Sequence, residues 1–132
     1  MKLYHFAPEH MVEGILHEGL TKGTIPMQDD ERISFFGPCQ WLTADKDFNA
    51  QSWATSKLID YDRTAVRLQI SIPKSHRHKL KSALEMERVL PIQGLVTGWP
   101  GSENWYVFLG SIPRGWIRQV AKKPEVVAYE LA

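Results

Sequence analysis

What this chain of 132 residues lacks narrows its chemistry before any motif is considered. Cys39 is the single cysteine, which excludes an intrachain disulfide and a zinc site built on cysteines. No apolar run is long enough to cross a bilayer, and the first residues lack the apolar stretch of a signal peptide. The expected setting is therefore the cytoplasm, with no membrane partner. A dominant charge is missing too: 16 Lys and Arg stand against 15 Asp and Glu, a formal net of +1. Binding to nucleic acid or acidic lipid must then rest on a local patch. No GxGxxG, P-loop or G-x-S-x-G occurs, so dinucleotide-fold, phosphate-loop and hydrolase-elbow chemistries have no support.

What remains is an ordinary folding composition. Hydrophobic residues at 43% and charged residues at 23% argue against disorder and for one domain spanning residues 1–132. Residues 2–6 read as a strand, and Pro8 suits the first turn of a helix carrying Met11, Val12, Ile15 and Leu16. Gly19 is a plausible stop for it. Residues 21–38 are polar, contain an Asp29-Asp30-Glu31 cluster, and read as a long loop of the kind that binds ligands. "CQWLT" (39–43) reads as a short strand, after which Asp45 is expected to cap a helix running to Ile59, with Phe48 and Ala54 on its buried side. "TAVRLQISI" (64–72) alternates Val66, Leu68, Ile70 and Ile72 with smaller or polar residues, the period of a strand with unequal faces. Residues 76–90 read as helical around Leu80, Leu84 and Val89. The turn "TGWPGSEN", the strand "WYVFLG", a turn and strand in "SIPRGWIRQV", and a final strand at 126–131 complete a strand-rich α+β domain with two or three helices.

Several constellations have plain readings. His10, Glu13 and His17 fall within mutual reach on one helix, but their spacing matches no familiar zinc motif, and a solvated face accounts for them; no metal is expected. "HRHK" (76–79) reads as a solvated charged turn, with phosphate contact as its functional alternative. Nothing near Cys39 in sequence would activate a thiolate. Five tryptophans are many for this length, and an indole is a costly filler unless its N–H finds a partner, which points to a flat ligand. His5, within the first strand, has packing as its bland reading.

Three segments in order resemble the ADP-ribosyltransferase superfamily, which includes diphtheria-type toxins and poly(ADP-ribose) polymerases. "LYHFAPEHMVEGILHEGL" is similar to that family's strand, histidine and helix ending Gly-Leu. "CQWLTADKDFNAQSWA" resembles the strand and following helix that carry two stacking aromatics. "SENWYVFLGSIPRGWIRQV" resembles the late strand that begins with a glutamate, and its second half also resembles DarT-like DNA-modifying toxins and RNA 2'-phosphotransferases. The resemblance covers roughly half the chain. It implies two small, mostly antiparallel sheets around an NAD cleft. His5 would hydrogen-bond an NAD ribose and contribute to catalysis, the Phe6 backbone would hold the nicotinamide amide, and Trp41 and Trp53 would stack on the ring. Glu103 would be the catalytic carboxylate on the nicotinamide-ribose 2'-hydroxyl. The chain departs from the family in having Phe6-Ala7 for Gly-Ser or Gly-Thr, tryptophans for tyrosines, and Glu103 one residue further from its strand; Glu130 competes for the role.

The implied activity is transfer of ADP-ribose from NAD to a macromolecule, with nucleic acid (RNA or DNA) slightly favoured over protein. Gly101 stands where arginine-modifying relatives carry an acidic residue, so arginine is disfavoured as acceptor. Analogy extends this to a toxin or phage-conflict role with an antitoxin or target protein as partner. Two indoles suit a pyridinium cation but stabilise the ground state, so acceleration would fall to Glu103 as positive charge grows on the sugar. The alternatives are an RNA 2'-phosphotransferase-like enzyme and a non-catalytic nucleotide- or partner-binding protein on the same fold. The phosphotransferase ranks lower because its relatives carry a further amino-terminal lobe, whereas here the histidine strand begins at residue 2.

Overall fold

A computed structural model of the chain describes residues 2–54, 61–92 and 96–124. The alternating segment forms a strand, β5 (Val66–Ile70), with Val66, Leu68 and Ile70 buried and Arg67 and Gln69 half-buried on the other face. It pairs along the whole of β1 (Leu3–Ala7), from Leu3↔Ile70 to Ala7↔Val66. Beyond it lies β8 (Ile117–Lys122), and on the other side of β1 come β4 (Cys39–Thr43), β7 (Trp105–Leu109) and β6 (Leu80–Ser82). Together they make a six-stranded sheet in the order β6-β7-β4-β1-β5-β8, antiparallel throughout.

Because successive side chains point to opposite faces, the central strands β4 and β7 each feed two cores. Leu3, Leu42, Leu68, Ile70 and Phe108 form one buried group, against which helix α1 (Glu9–Glu18) packs Val12 and Ile15. Cys39 and Val107 join Ile25 and Met86 in a second group on the opposite face, under helix α2 (Ala83–Val89). Ser82 caps α2, its hydroxyl accepting from the Glu85 N–H at 3.1 Å. Gly19 ends α1 at φ 84°, and a Cβ there would meet the Ile112 carbonyl oxygen at 2.3 Å. Both the left-handed backbone and the close approach require glycine. Just beyond it, Leu20 and Ile112 exchange two backbone hydrogen bonds that tie the helix end to the chain before β8.

The α+β class and antiparallel sheets agree with expectation; three local readings do not. Most of residues 21–38, expected as a loop, folds as a hairpin of β2 (Ile25–Asp29) and β3 (Arg32–Phe36). Its turn places Asp30 at φ 52°, a conformation aspartate tolerates better than most residues. No helix begins at Asp45. Side chains replace it with a ladder of local turns: Thr43 Oγ1 accepts from the Asp45 N–H, Asp45 Oδ1 from the Asp47 N–H, and Asp47 Oδ1 from the Asn49 N–H. Such bonds offer the backbone an alternative to helix. Only Ser52–Ala54 coils, as a single 3-10 turn, and the expected continuation to Ile59 falls outside the described residues. The third is residues 76–90, which divide into a 3-10 stretch (Lys74–Lys79), β6 and α2, with Val89 exposed. The final strand expected at 126–131 also lies outside the described residues. No helix among the described residues is long and apolar enough to cross a membrane.

Candidate functional site

The two neighbours of β1 treat it differently. On the β4 side a single pair is registered, Tyr4↔Thr43, and the strands part beyond it. A cleft of about 810 Å³ opens there, lined by Tyr4, His5 and Phe6 from β1 and by Trp41 and Leu42 from β4. His10, Met11 and Glu18 of α1, Gly23 and Pro26 at the hairpin's base, and Trp53, Tyr61, Arg63, Trp99 and Trp105 line the rest of it. Gly23 is needed at this edge because a Cβ would meet the Cys39 carbonyl oxygen at 2.1 Å.

His5 bridges the parted strands. Its Nδ1 lies 2.8 Å from the Trp41 carbonyl oxygen, and since a carbonyl only accepts, Nδ1–H is the donor. Burial lowers the His5 pKa below its ordinary 6.5, opposed by the bond to Trp41. The ring is therefore neutral at pH 7, and its Nε2 is a lone-pair acceptor in a cleft-lining side chain. The structure thus supplies a fixed tautomer suited to receiving a hydroxyl proton.

Each indole is held at its edge. Trp41 Nε1–H donates to the Thr24 carbonyl at 3.1 Å, tying β4 to the approach of the hairpin. Trp53 Nε1–H donates to Gln51 Oε1 at 3.1 Å. Gln51 is itself buried and fixed by donating Nε2 to the carbonyls of Asp47, at 2.9 Å, and Asp45, at 3.3 Å. The turn ladder that replaces the expected helix therefore still positions Trp53. The Arg63 guanidinium sits 5.1 Å from the centre of the Trp53 ring, within cation–π range. Phe6 packs edge-on against Phe48, with centroids 5.4 Å apart.

His5, Phe6, Trp41 and Trp53 thus share one cleft. Glu103 does not line it: it is exposed, in the 3-10 turn Ser102–Asn104 leading into β7. That turn is strapped to the end of β4, the Ala44 N–H donating to the Asn104 carbonyl at 2.9 Å. Glu130 lies outside the described residues. The carboxylate that does line the cleft, among the described residues, is Glu18 at the end of α1, with Lys22 and Arg63 as its cations. Sequence reasoning missed Glu18, Lys22, Arg63, Trp99 and Trp105. The unusual tryptophan count was the one available signal, and four of the five indoles do line this cleft.

Other candidates have structural places. Burial pushes the Cys39 thiol up to about 11, so it stays protonated and inert at neutral pH. His10 packs edge-on against Tyr61 at 4.7 Å. Compared with family models, curated proteins and solved structures, the chain matches none.

Proposed function

We propose that this protein is an NAD-dependent ADP-ribosyltransferase that moves ADP-ribose from NAD to a macromolecular acceptor. The observation that carries the reading is the gap between β1 and β4, where neutral His5 offers an acceptor nitrogen amid the cleft's indoles. A pyridinium ring stacks well on indole, and a ribose hydroxyl can donate to His5 Nε2. Lys22 and Arg63 suit a pyrophosphate. In the reaction the bond between ribose C1' and the nicotinamide nitrogen breaks, nicotinamide leaves neutral with the bonding pair, and an acceptor nucleophile bonds to C1' and releases its proton to solvent. Aromatic stacking holds the ground-state cation, so the rate gain rests on a carboxylate that favours positive charge on the sugar. Glu103 is assigned that role. Its turn, strapped to β4, would then have to bring the carboxylate inward when NAD binds.

The test is incubation with labelled NAD and separate pools of protein, RNA and DNA, read as label transfer and nicotinamide release. Glu103→Gln should cut transfer by about 10²-fold or more while NAD affinity changes little. Full activity in that variant removes Glu103 from the mechanism. A second reading is favoured by one observation, the position of Glu103 outside the cleft. In it the fold binds NAD or a related nucleotide without cleaving it. NAD binding with no nicotinamide release, in the presence of every acceptor pool, identifies that case.

A further inference from the structure

The chain's near-neutral charge conceals an uneven distribution. Residues 71–84 and 105–124 contain no Asp or Glu, yet they hold eight Lys and Arg. Lys122 and Lys123 pair with Glu9 and Asp62 and Lys81 is half-buried, which leaves Lys74, Arg77, Lys79, Arg114 and Arg118. All of these five are exposed, and among the described residues none forms an ion pair. The fold brings the two segments together. The Ser71 N–H donates to the Trp116 carbonyl at 2.8 Å, and the His76 ring packs on Trp116 with centroids 5.0 Å apart. The 3-10 stretch Lys74–Lys79 and the turn Arg114–Trp116 therefore sit side by side, anchored through Trp116, whose other contact is Phe108 of the core. Arg114 also reaches the His17 carbonyl at 3.5 Å, next to the end of α1 that lines the cleft.

We infer that this face is a docking surface for the sugar-phosphate backbone of a nucleic acid, separate from the cleft. Exposed cations with no ion-pair partner are what phosphate binding needs, and among the described residues only Arg114 of the five makes a side-chain hydrogen bond within the fold. A bilayer fits less well, because Val120 is the one large apolar side chain exposed in 71–84 or 105–124 to enter it. Trp116 is half-buried and already in contact with His76 and Phe108, so the binding proposed here rests on phosphate contacts and is tolerant of sequence. The inference stands whether or not the cleft takes NAD.

Fluorescence anisotropy with a labelled oligo(dT) of about 20 nucleotides tests it without any nucleotide cofactor. Five phosphate contacts on a single strand predict a log–log salt slope of about −3.5, or roughly 130-fold weaker binding between about 50 and 200 mM salt. Lys74→Gln/Arg77→Gln/Lys79→Gln should weaken binding by at least about tenfold and flatten the slope by about 2. The pair Lys2→Gln/Lys46→Gln, altering exposed lysines outside both segments, should change it by less than about twofold. Thermal unfolding checks that each variant is folded, and Arg114→Gln/Arg118→Gln provides an independent second reading of the same face. Binding insensitive to salt, equal loss in the control pair, or capture by phosphatidylserine vesicles but not by oligonucleotide would each overturn the inference.

Discussion

The two edges of β1 are built from the same five residues and do opposite things. Toward β5 every residue has a registered partner, and Leu68 opposite His5 is fully buried. Toward β4 only Tyr4 has one, and a side chain takes over where the ladder stops: His5 Nδ1–H supplies the Trp41 carbonyl with its hydrogen bond. One edge is stability, the other is space. A sheet that parts its strands must satisfy the polar groups it exposes, and groups that do so are already aimed at whatever fills the gap. Among the described residues no buried side-chain polar atom is left without a partner, so the opening carries no unpaid side-chain polarity.

The contrast can be broken most strongly from the closed edge. Leu68→Ala removes a fully buried side chain from the core that α1 covers, and should lower unfolding free energy by about 2–5 kcal/mol. NAD affinity of the molecules that remain folded should stay within about twofold, measured by calorimetry well below the unfolding transition. A large loss of affinity at unchanged fold would show that the two edges are not separable.

From the open edge the expected pattern reverses. His5→Ala removes one hydrogen bond at the cleft, and should cost about 0.5–1.5 kcal/mol of stability. The same substitution should impair both NAD binding and turnover, since the ribose-orienting role proposed for His5 acts in both. If the variant binds NAD like the parent, His5 is a structural residue and nothing more.

The smallest effect, and the sharpest for the protonation state of His5, is in the pH dependence of stability. Folded His5 has a pKa below the 6.5 of the unfolded chain, so between those two values the unfolded state binds the extra proton. The His5 contribution is therefore fully present above pH 6.5 and lost as pH falls toward the folded pKa. Comparing urea unfolding of the parent and His5→Gln from pH 7.5 to about 5 should show a shallower acid loss in the variant. Parallel curves would mean that His5 is not held neutral by burial.

Legibility in the sequence followed burial. β5 was readable because its buried face alternates strictly, and β1, β4 and β7 because each is a short apolar run bounded by turn residues. The hairpin was not, since Arg32, Ile33, Ser34 and Phe35 of β3 are all exposed and burial leaves no period to detect. Residues 45–51 misled for a different reason: Asp45, Asp47 and Asn49 are the residue types that cap helices, and here Asp45 and Asp47 bond the backbone two positions ahead instead. At the site, His5 and Trp41 were marked by their place in strands and by resemblance. Arg63 and Glu18 carry no local signal, and only tertiary packing brings them to the cleft.

The central claim is the proposal that the cleft at the parted strands holds NAD between Trp41 of β4 and Trp53 of the 3-10 turn. The most direct test is a calorimetric titration of NAD into the parent protein and into Trp41→Ala and Trp53→Ala, each shown to be folded by its unfolding transition. The account predicts one binding site per chain in the parent, with each variant weakened by roughly 0.5–2 kcal/mol, or about 2- to 30-fold. No heat of binding in the parent, or the same affinity in all three proteins, would contradict it.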